Sequence, residues 1–197
     1  MTKVLIIGKR SFIGSNLKRY LFKVCDVKII DFNEAFKKAN VYFDSYSHII
    51  NTSIHKSYVK KKYNKKYDLD RKFISKFKNI NFKYIFLNTR KIYSPKENVS
   101  ENSTLNPSDL YSRNKLKTEK FLKSKIKKKL ISLRISNIIG RRVYANHRNT
   151  HKLFFDNFLK LRNKKFLKIN NVFKDFLSIE QFCSILTKII KYEITGI

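Results

Sequence analysis

The sequence predicts an α/β domain built on an open, doubly wound parallel sheet, and three observations predict it. Short apolar runs of strand length alternate with helical stretches along most of the chain. The first run, Lys3 to Ile7, closes on Gly8 and passes through a turn bounded by Gly8 and Gly14 into a helical stretch. The second run ends on a carboxylate, Asp31, roughly twenty residues beyond that turn.

The 197 residues suit one α/β unit with a real core, and 42% hydrophobic with 14% aromatic content reads as globular. No apolar run approaches a membrane span, and Met1-Thr2-Lys3 leads straight into the first strand with no signal-peptide cleavage site, so a cytoplasmic location is expected. Cys25 and Cys183 stand far apart in no metal-like or redox spacing, which agrees with a reducing compartment. A net charge of +31 raises the question of nucleic acid. The positive charge is mostly Lys, spread over nearly every segment. The denser runs Lys60 to Lys66 and Lys123 to Lys129 read as solvated helix faces, and no nucleic-acid module accompanies them. A polyanion partner is therefore not expected.

Taken in order, Lys3 to Ile7 is a buried strand and Ser15 to Phe22 a helix with Leu17 and Leu21 four apart. The turn between them, Gly8-Lys9-Arg10-Ser11-Phe12-Ile13-Gly14, points backbone N–H groups at a helix N-terminus, which suits a pyrophosphate. Val27 to Ile30 is the second strand, and Asp31 at its tip is placed to accept hydrogen bonds from an adenosine ribose; the alternative for Asp31 is a turn or helix cap. Lys9 and Arg10 suit a 2′-phosphate, which Asp31 would repel, so NAD is favoured with NADP as the alternative. Phe32 to Ser47 is short for a third β-α unit of about thirty residues, and only a strand fragment at Asn40 to Phe43 is expected there. His48 to Asn51 is the next strand, Asn64 to Lys78 a helix, and Tyr84 to Leu87 a strand ending on Asn88-Thr89. Ligands of an open parallel sheet sit at the carboxyl ends of its strands, so Asn51, Thr89 and the Gly8 turn should share one edge, with Lys56 just beyond Asn51 within reach of a cofactor.

A polar loop from Pro95 to Asp109 leads to a helix carrying Tyr111-Ser112-Arg113-Asn114-Lys115 and running to about Lys125. Positions four apart stack on one helix face, so the Tyr111 phenol and Lys115 ammonium can reach one pocket. A phenol titrates near ~10, and an adjacent cation favours the phenolate, which fits Tyr111 to exchange a proton with a substrate hydroxyl or carbonyl. Leu130 to Ile135 is a further strand, closed by Asn137 and Gly140; helices are expected at Lys152 to Asn163 and Ser178 to Tyr192. His147 and His151 lie four apart, but no carboxylate or cysteine supports them, so no metal is expected.

These blocks together resemble the extended short-chain dehydrogenases, the NAD-dependent epimerase/dehydratase family that works on nucleotide sugars. Gly8 to Gly14 resembles the family's glycine turn, and Leu87 to Tyr93 its serine/threonine block. Glu101, Pro107 and Tyr111 to Lys115 resemble its catalytic helix, Leu133 to Gly140 its substrate-diphosphate strand, and Lys174-Asp175-Phe176 its R-D-F block. The resemblance implies a Rossmann-like fold with a shortened third unit. Residues 1–140 would form the NAD(P)-binding lobe with the catalytic helix, and 141–197 a reduced substrate-lobe segment. It implies Tyr111 as general acid/base, Lys115 as the cation that lowers its pKa and binds the nicotinamide ribose, and Thr89 as the hydroxyl on the reacting sugar oxygen. Asn137 and Lys174 would bind substrate, Asn137 having a strand-end cap as its alternative; Tyr93 is expected in the core. A homodimer through the helices at Asn64 to Lys78 and Tyr111 to Lys125 is also implied.

Four departures qualify the implied activity, an NAD(P)-dependent epimerase or reductase of a nucleotide sugar. Ser11 replaces the middle glycine of the turn. Arg90-Lys91 stand where the family's dehydratases carry an acidic pair, which speaks against loss of water. Lys174 replaces an Arg and loses its bidentate geometry. Relatives usually continue past Gly196-Ile197 into a larger substrate lobe. The alternative these departures leave open is a dinucleotide-binding protein without turnover.

Overall fold

The computed structural model describes residues 1–94, 98–140, 143, 175–194 and 196. The strands β1 (Lys3–Ile7), β2 (Asp26–Ile30), β3 (His48–Asn51), β4 (Lys83–Thr89) and β5 (Leu130–Ile135) form one parallel sheet in the order β2-β1-β3-β4-β5. The helices are α1 (Phe12–Leu21), α2 (Phe32–Lys37), α3 (Lys56–Lys60), α4 (Leu69–Ile74), α5 (Leu110–Ile126) and α6 (Ile179–Lys191). Strands covered on both faces read as continuous apolar runs, which is why β1, β3 and β5 were legible as such. Along β1 the side chains alternate: Val4 and Ile6 join the core that includes Leu17 of α1 and Leu186 of α6, whereas Leu5 and Ile7 join the core that includes Phe73 of α4 and Leu122 of α5. Cys25 and Cys183 are free thiols inside the first core, where burial pushes Cys183 up to about 12 and Cys25 up as well.

The short third unit holds no strand. Asn40–Phe43 is a turn of 3-10 helix: Phe43 is fully buried, edge-on to Phe73 at 5.2 Å and to Phe77 at 5.4 Å, while Val41 is exposed. Lys76 closes the C-terminus of α2, its ammonium donating to the Phe36 and Lys38 carbonyls at 2.8 Å each. A cation at these orphan carbonyls is favourable in both hydrogen bonding and helix dipole. β2 is left at the sheet edge, with Asp26 and Lys28 exposed along it.

The helix expected over Asn64 to Lys78 is also broken up. Asn64 caps a 3-10 turn at Lys65–Tyr67, and Asp68 then caps α4 by accepting from Arg71 N at 2.9 Å, so the capping side chains divide the stretch. Past β5 the chain forms β6 (Asn137–Ile139), which pairs in parallel with β7 (Phe176–Ser178). Gly140 follows in the left-handed region at φ 158°, and an added Cβ would lie 2.2 Å from Ile179 Cγ2. Ser178 opens α6 with a capping box to Gln181, at the start the sequence predicts. The helix expected at Lys152 to Asn163 lies outside the described residues. Among the described residues, no helix is long and apolar enough to cross a membrane.

Candidate active site at the carboxyl edge of the sheet

The glycine turn docks onto the neighbouring strand ends. Gly8 N donates to Ile30 O at 2.8 Å, and its φ of 122° needs glycine. A Cβ on Gly8 would lie 2.4 Å from Thr52 Oγ1, and one on Gly14 would lie 2.6 Å from the same atom and 2.7 Å from Gly8 O. Thr52, the first residue after β3, therefore fills the space that the two glycines leave. Ser11 needs no glycine conformation, with φ at −82°. Its hydroxyl accepts from Gly14 N and donates to Thr52 Oγ1, both at 2.7 Å, and Thr52 donates on to Ile7 O at 2.9 Å. The side chain in the middle-glycine position thus acts as the α1 N-cap and starts the helix at Phe12 rather than Ser15. Phe12 and Ile13 form its first turn, which carries no acidic residue and is flanked by Lys9 and Arg10.

Asp31 stands at the N-cap position of α2 yet makes no side-chain cap hydrogen bond. Its half-exposed carboxylate lies 3.9 Å from Arg10 Nε, across from the glycine turn. Lys56 is exposed at the start of α3. Asn51 is directed inward: its amide donates to Asp70 Oδ1 and its carbonyl accepts from Ser53 N, both at 2.9 Å. The strand register sets Asn51 beside Ile7 and Phe86, with Thr89 three residues farther along β4, so the three strand ends do share one edge.

Thr89 is buried and caps a 3-10 turn at Arg90–Ile92, its hydroxyl accepting from Lys91 N at 3.3 Å. α5 begins at Asp109, which exchanges capping hydrogen bonds with Ser112. Burial alone would push the Asp109 carboxyl up, but the Ser112 hydrogen bonds and the Lys91 charge carry it below the usual carboxylate range. Tyr111 is half-buried one residue into α5. Lys115 is 6% exposed; its ammonium donates to Leu87 O at 2.7 Å and sits 4.5 Å from the Phe86 ring centre, 5.9 Å from Tyr58 and 6.0 Å from Tyr111. An ammonium has three donors, so the Leu87 bond leaves two for other acceptors.

One more turn along α5, Glu119 forms a buried ion pair with Arg134 of β5, at 2.9 Å between Oε1 and Nη2. Asn88 Nδ2 donates to the same carboxylate, and Arg134 Nη1 donates to the Tyr93 hydroxyl, which leaves Tyr93 buried in structure as expected. Sequence reasoning passed over this pair; the signal was Arg134 inside the apolar run of β5. Nearby, Arg90 pairs with Asp175, Asn137 Nδ2 donates to Asp175 O at 3.1 Å, and Lys91 lies 3.4 Å from the Asp109 carboxylate. Lys174, His147 and His151 lie outside the described residues, and no metal-binding group of three His, Cys, Asp or Glu occurs among the described ones. The Lys residues of the two dense runs all occupy exposed positions.

The architecture has relatives among solved structures. It resembles a dTDP-4-dehydrorhamnose reductase ortholog from Clostridium acetobutylicum, with TM-score 0.77 and 19% identity over 99% of this chain and 72% of that one. It also resembles a UDP-N-acetylglucosamine 4-epimerase from Methanobrevibacter ruminantium, with TM-score 0.72 and 18% identity over 99% and 74%. A third, the dTDP-glucose 4,6-dehydratase from Bacillus anthracis in complex with NAD, gives TM-score 0.70 and 17% identity over 100% and 74%. These three names cover reduction, epimerisation and dehydration, so the shared fold does not choose among them. A search of curated proteins returned no match. The sequence pattern of the NAD dependent epimerase/dehydratase family matches residues 61–195, more than half of the chain, and the chain belongs to that family.

Proposed function

We propose that this chain is an NAD(P)-dependent reductase or epimerase of a nucleotide sugar, with Tyr111 as its general acid/base. The observation that carries the reading is the buried Lys115 ammonium, held on Leu87 O one helical turn from Tyr111 and at the same sheet edge as Thr89. A phenol beside a fixed cation loses its proton more readily, and the cation stabilises the phenolate that remains. In reduction, Tyr111 gives its hydroxyl proton to the sugar carbonyl oxygen while Thr89 donates a hydrogen bond to the same oxygen. Epimerisation also runs the proton transfer in reverse. The bound nicotinamide supplies or accepts the hydride.

Residues at the glycine turn fit a dinucleotide. The close approach at Gly8 and Gly14 and a first helical turn without carboxylates suit a pyrophosphate, and Asp31 at the β2 tip suits ribose hydroxyls. NAD is the favoured cofactor, with NADP accommodated if Arg10 leaves Asp31. The spare donors of Lys115 serve the nicotinamide ribose, and Asn137 with Lys174 serve the substrate diphosphate. On this reading residues 1–140 are the cofactor lobe and 141–197 the substrate side, and Arg90 and Lys91 favour reduction or epimerisation over loss of water. Each is already paired with a carboxylate, and neither supplies the carboxyl group that the acidic pair would.

The second reading, dinucleotide binding without turnover, is favoured by the Ser11–Thr52 hydrogen bond inside the turn. Titration with NAD and NADP, an Asp31→Ala control and assays on sugar nucleotides separate the two. Tyr111→Phe should lower turnover by roughly 10² to 10⁴-fold while cofactor affinity stays close to that of the parent. Unchanged turnover would remove Tyr111 from its role, and turnover by neither chain with intact cofactor binding would support the second reading.

A further inference from the structure

Two cations follow Thr89 directly in the chain, Arg90 and Lys91, and their carboxylate partners differ in kind. Lys91 faces Asp109, which is already committed as the cap of α5, where it accepts from Ser112 N at 2.7 Å. Arg90 instead pairs with Asp175, one residue ahead of β7, and among the described residues neither has another ion-pair partner. The pair is open to solvent: the Arg90 side chain is 31% and the Asp175 side chain 65% exposed, against 10% and 2% for Arg134 and Glu119. Exposed pairs of this kind contribute little to stability, so the guanidinium can change partner at small cost. Asp175 also brings Arg90 to another proposed substrate contact, because its carbonyl accepts from Asn137 Nδ2 at 3.1 Å.

We propose that Arg90 binds the diphosphate of the sugar nucleotide, and that Asp175 is the counter-ion it leaves when the nucleotide arrives. The Thr89 hydroxyl, accepting from Lys91 N, caps the short turn that carries Arg90. One turn therefore sets both the residue at the reacting sugar oxygen and the residue at the diphosphate. A guanidinium presents its N–H groups as a planar fork that matches two phosphate oxygens, whereas Lys174, next to Asp175 in the chain, offers only a point charge. A diphosphate carries more negative charge than one carboxylate and competes with Asp175 for the fork. Until then the carboxylate holds the guanidinium beside the residue that Asn137 contacts. That the anion is a diphosphate rests on the nucleotide-sugar reading above; that Arg90 is free to exchange its partner rests on the exposed ion pair.

The test needs no turnover: titration calorimetry of the full chain with UDP and with dTDP, with folding of each variant checked by circular dichroism. Arg90→Ala should weaken nucleoside-diphosphate binding roughly tenfold to a hundredfold, the loss of a charged hydrogen-bonded contact, while NAD affinity stays put. Asp175→Asn removes the competing carboxylate and should tighten the same binding, by up to about fivefold. The opposite signs are the signature of exchange. If the pair is instead a structural clasp, both substitutions weaken binding, and that result overturns the proposal. Unchanged affinity in folded Arg90→Ala also overturns it and leaves the nucleotide-sugar reading standing. If Arg90→Ala does not fold, Arg90→Lys keeps the charge without the fork and should lose affinity by less; no loss there counts against the proposal equally. A parent chain that takes NAD but neither UDP nor dTDP removes the nucleotide-sugar reading, and the role of Arg90 with it.

Discussion

On the α1 and α6 side of the sheet, Val4, Ile6, Leu17, Ile50, Ile85, Phe182 and Leu186 pack without a charged partner among them. On the α4 and α5 side, the aromatic core of Phe43, Phe73, Phe82 and Phe86 is followed, toward the carboxyl ends of the strands, by buried Asn51, Asp68, Asp70, Asn88, Lys115, Thr118 and Glu119. Both sides bury apolar area that stabilises the fold by the same mechanism. Among the described residues only one takes on the cost of desolvating charged side chains, and it does so beside the proposed proton-transfer pair. A low-dielectric setting strengthens the field of a fixed cation, which gives that cost a chemical use.

The largest expected stability effect breaks this contrast at its polar end. Glu119→Gln leaves the Arg134 guanidinium buried without its carboxylate and should cost about 3–5 kcal/mol in chemical denaturation. Leu186→Ala on the other side should cost about 2–5 kcal/mol, through lost transfer energy and a residual cavity. The two losses differ in how they are repaired. Adding Arg134→Met to Glu119→Gln removes the orphan charge and should recover most of the stability, because an apolar replacement of a buried pair is often neutral. A pair that shows no such recovery would mean that Glu119 and Arg134 act as packing, and the contrast between the two sides would fall.

A smaller effect concerns the edge where the sides meet. Gly14→Ala adds a Cβ that would lie 2.6 Å from Thr52 Oγ1 and 2.7 Å from Gly8 O. The Thr52 hydroxyl can rotate away, but the carbonyl belongs to the turn backbone. The substitution should cost about 1–3 kcal/mol by overpacking, with cofactor affinity falling along with it. Thr52→Ala in the same chain should restore only part of the loss, since the Gly8 carbonyl contact stays. Full restoration would show that Thr52 alone makes the turn tight.

Residues with one dominant determinant were legible. His48–Asn51 and Leu130–Ile135 are strands with the expected bounds because both faces are buried and the apolar run states it. The turn, Asp31 and the Tyr111–Lys115 face were legible because each depends on local spacing along one or two elements. What was missed depends on partners far apart in sequence. Glu119 and Arg134 meet only because α5 folds back on β5, and Asn51 meets Asp70 only across the β3–α4 connection. Asn40 to Phe43 looked like a strand because its apolar residues suit one, but the Phe73 and Phe77 rings claim Phe43 and leave Val41 in solvent. Ser11 looked like a defect in a glycine turn until Thr52 supplied its partner.

The smallest effect follows from His48, at the opposite end of β3 from the proposed site. Its Nδ1 lies 3.0 Å from Ser47 Oγ, and its buried Nε2 has no hydrogen-bond partner among the described residues. Burial, with the Lys83 charge beside it, lowers its pKa to about 4, against a small opposing influence from Glu193. The folded state therefore prefers the neutral ring and binds fewer protons than the unfolded chain between the two pKa values. Stability from this residue is fully present above about 6.5, the ordinary histidine value, and declines as pH falls from there toward 4. His48→Leu should flatten that part of the profile, so thermal melts at pH 7 and pH 5 should differ less in the variant than in the parent. Because His48 lies at the opposite end of β3 from Asn51, the variant should leave cofactor affinity where it was, and a change there would mean that the two ends of the sheet are coupled.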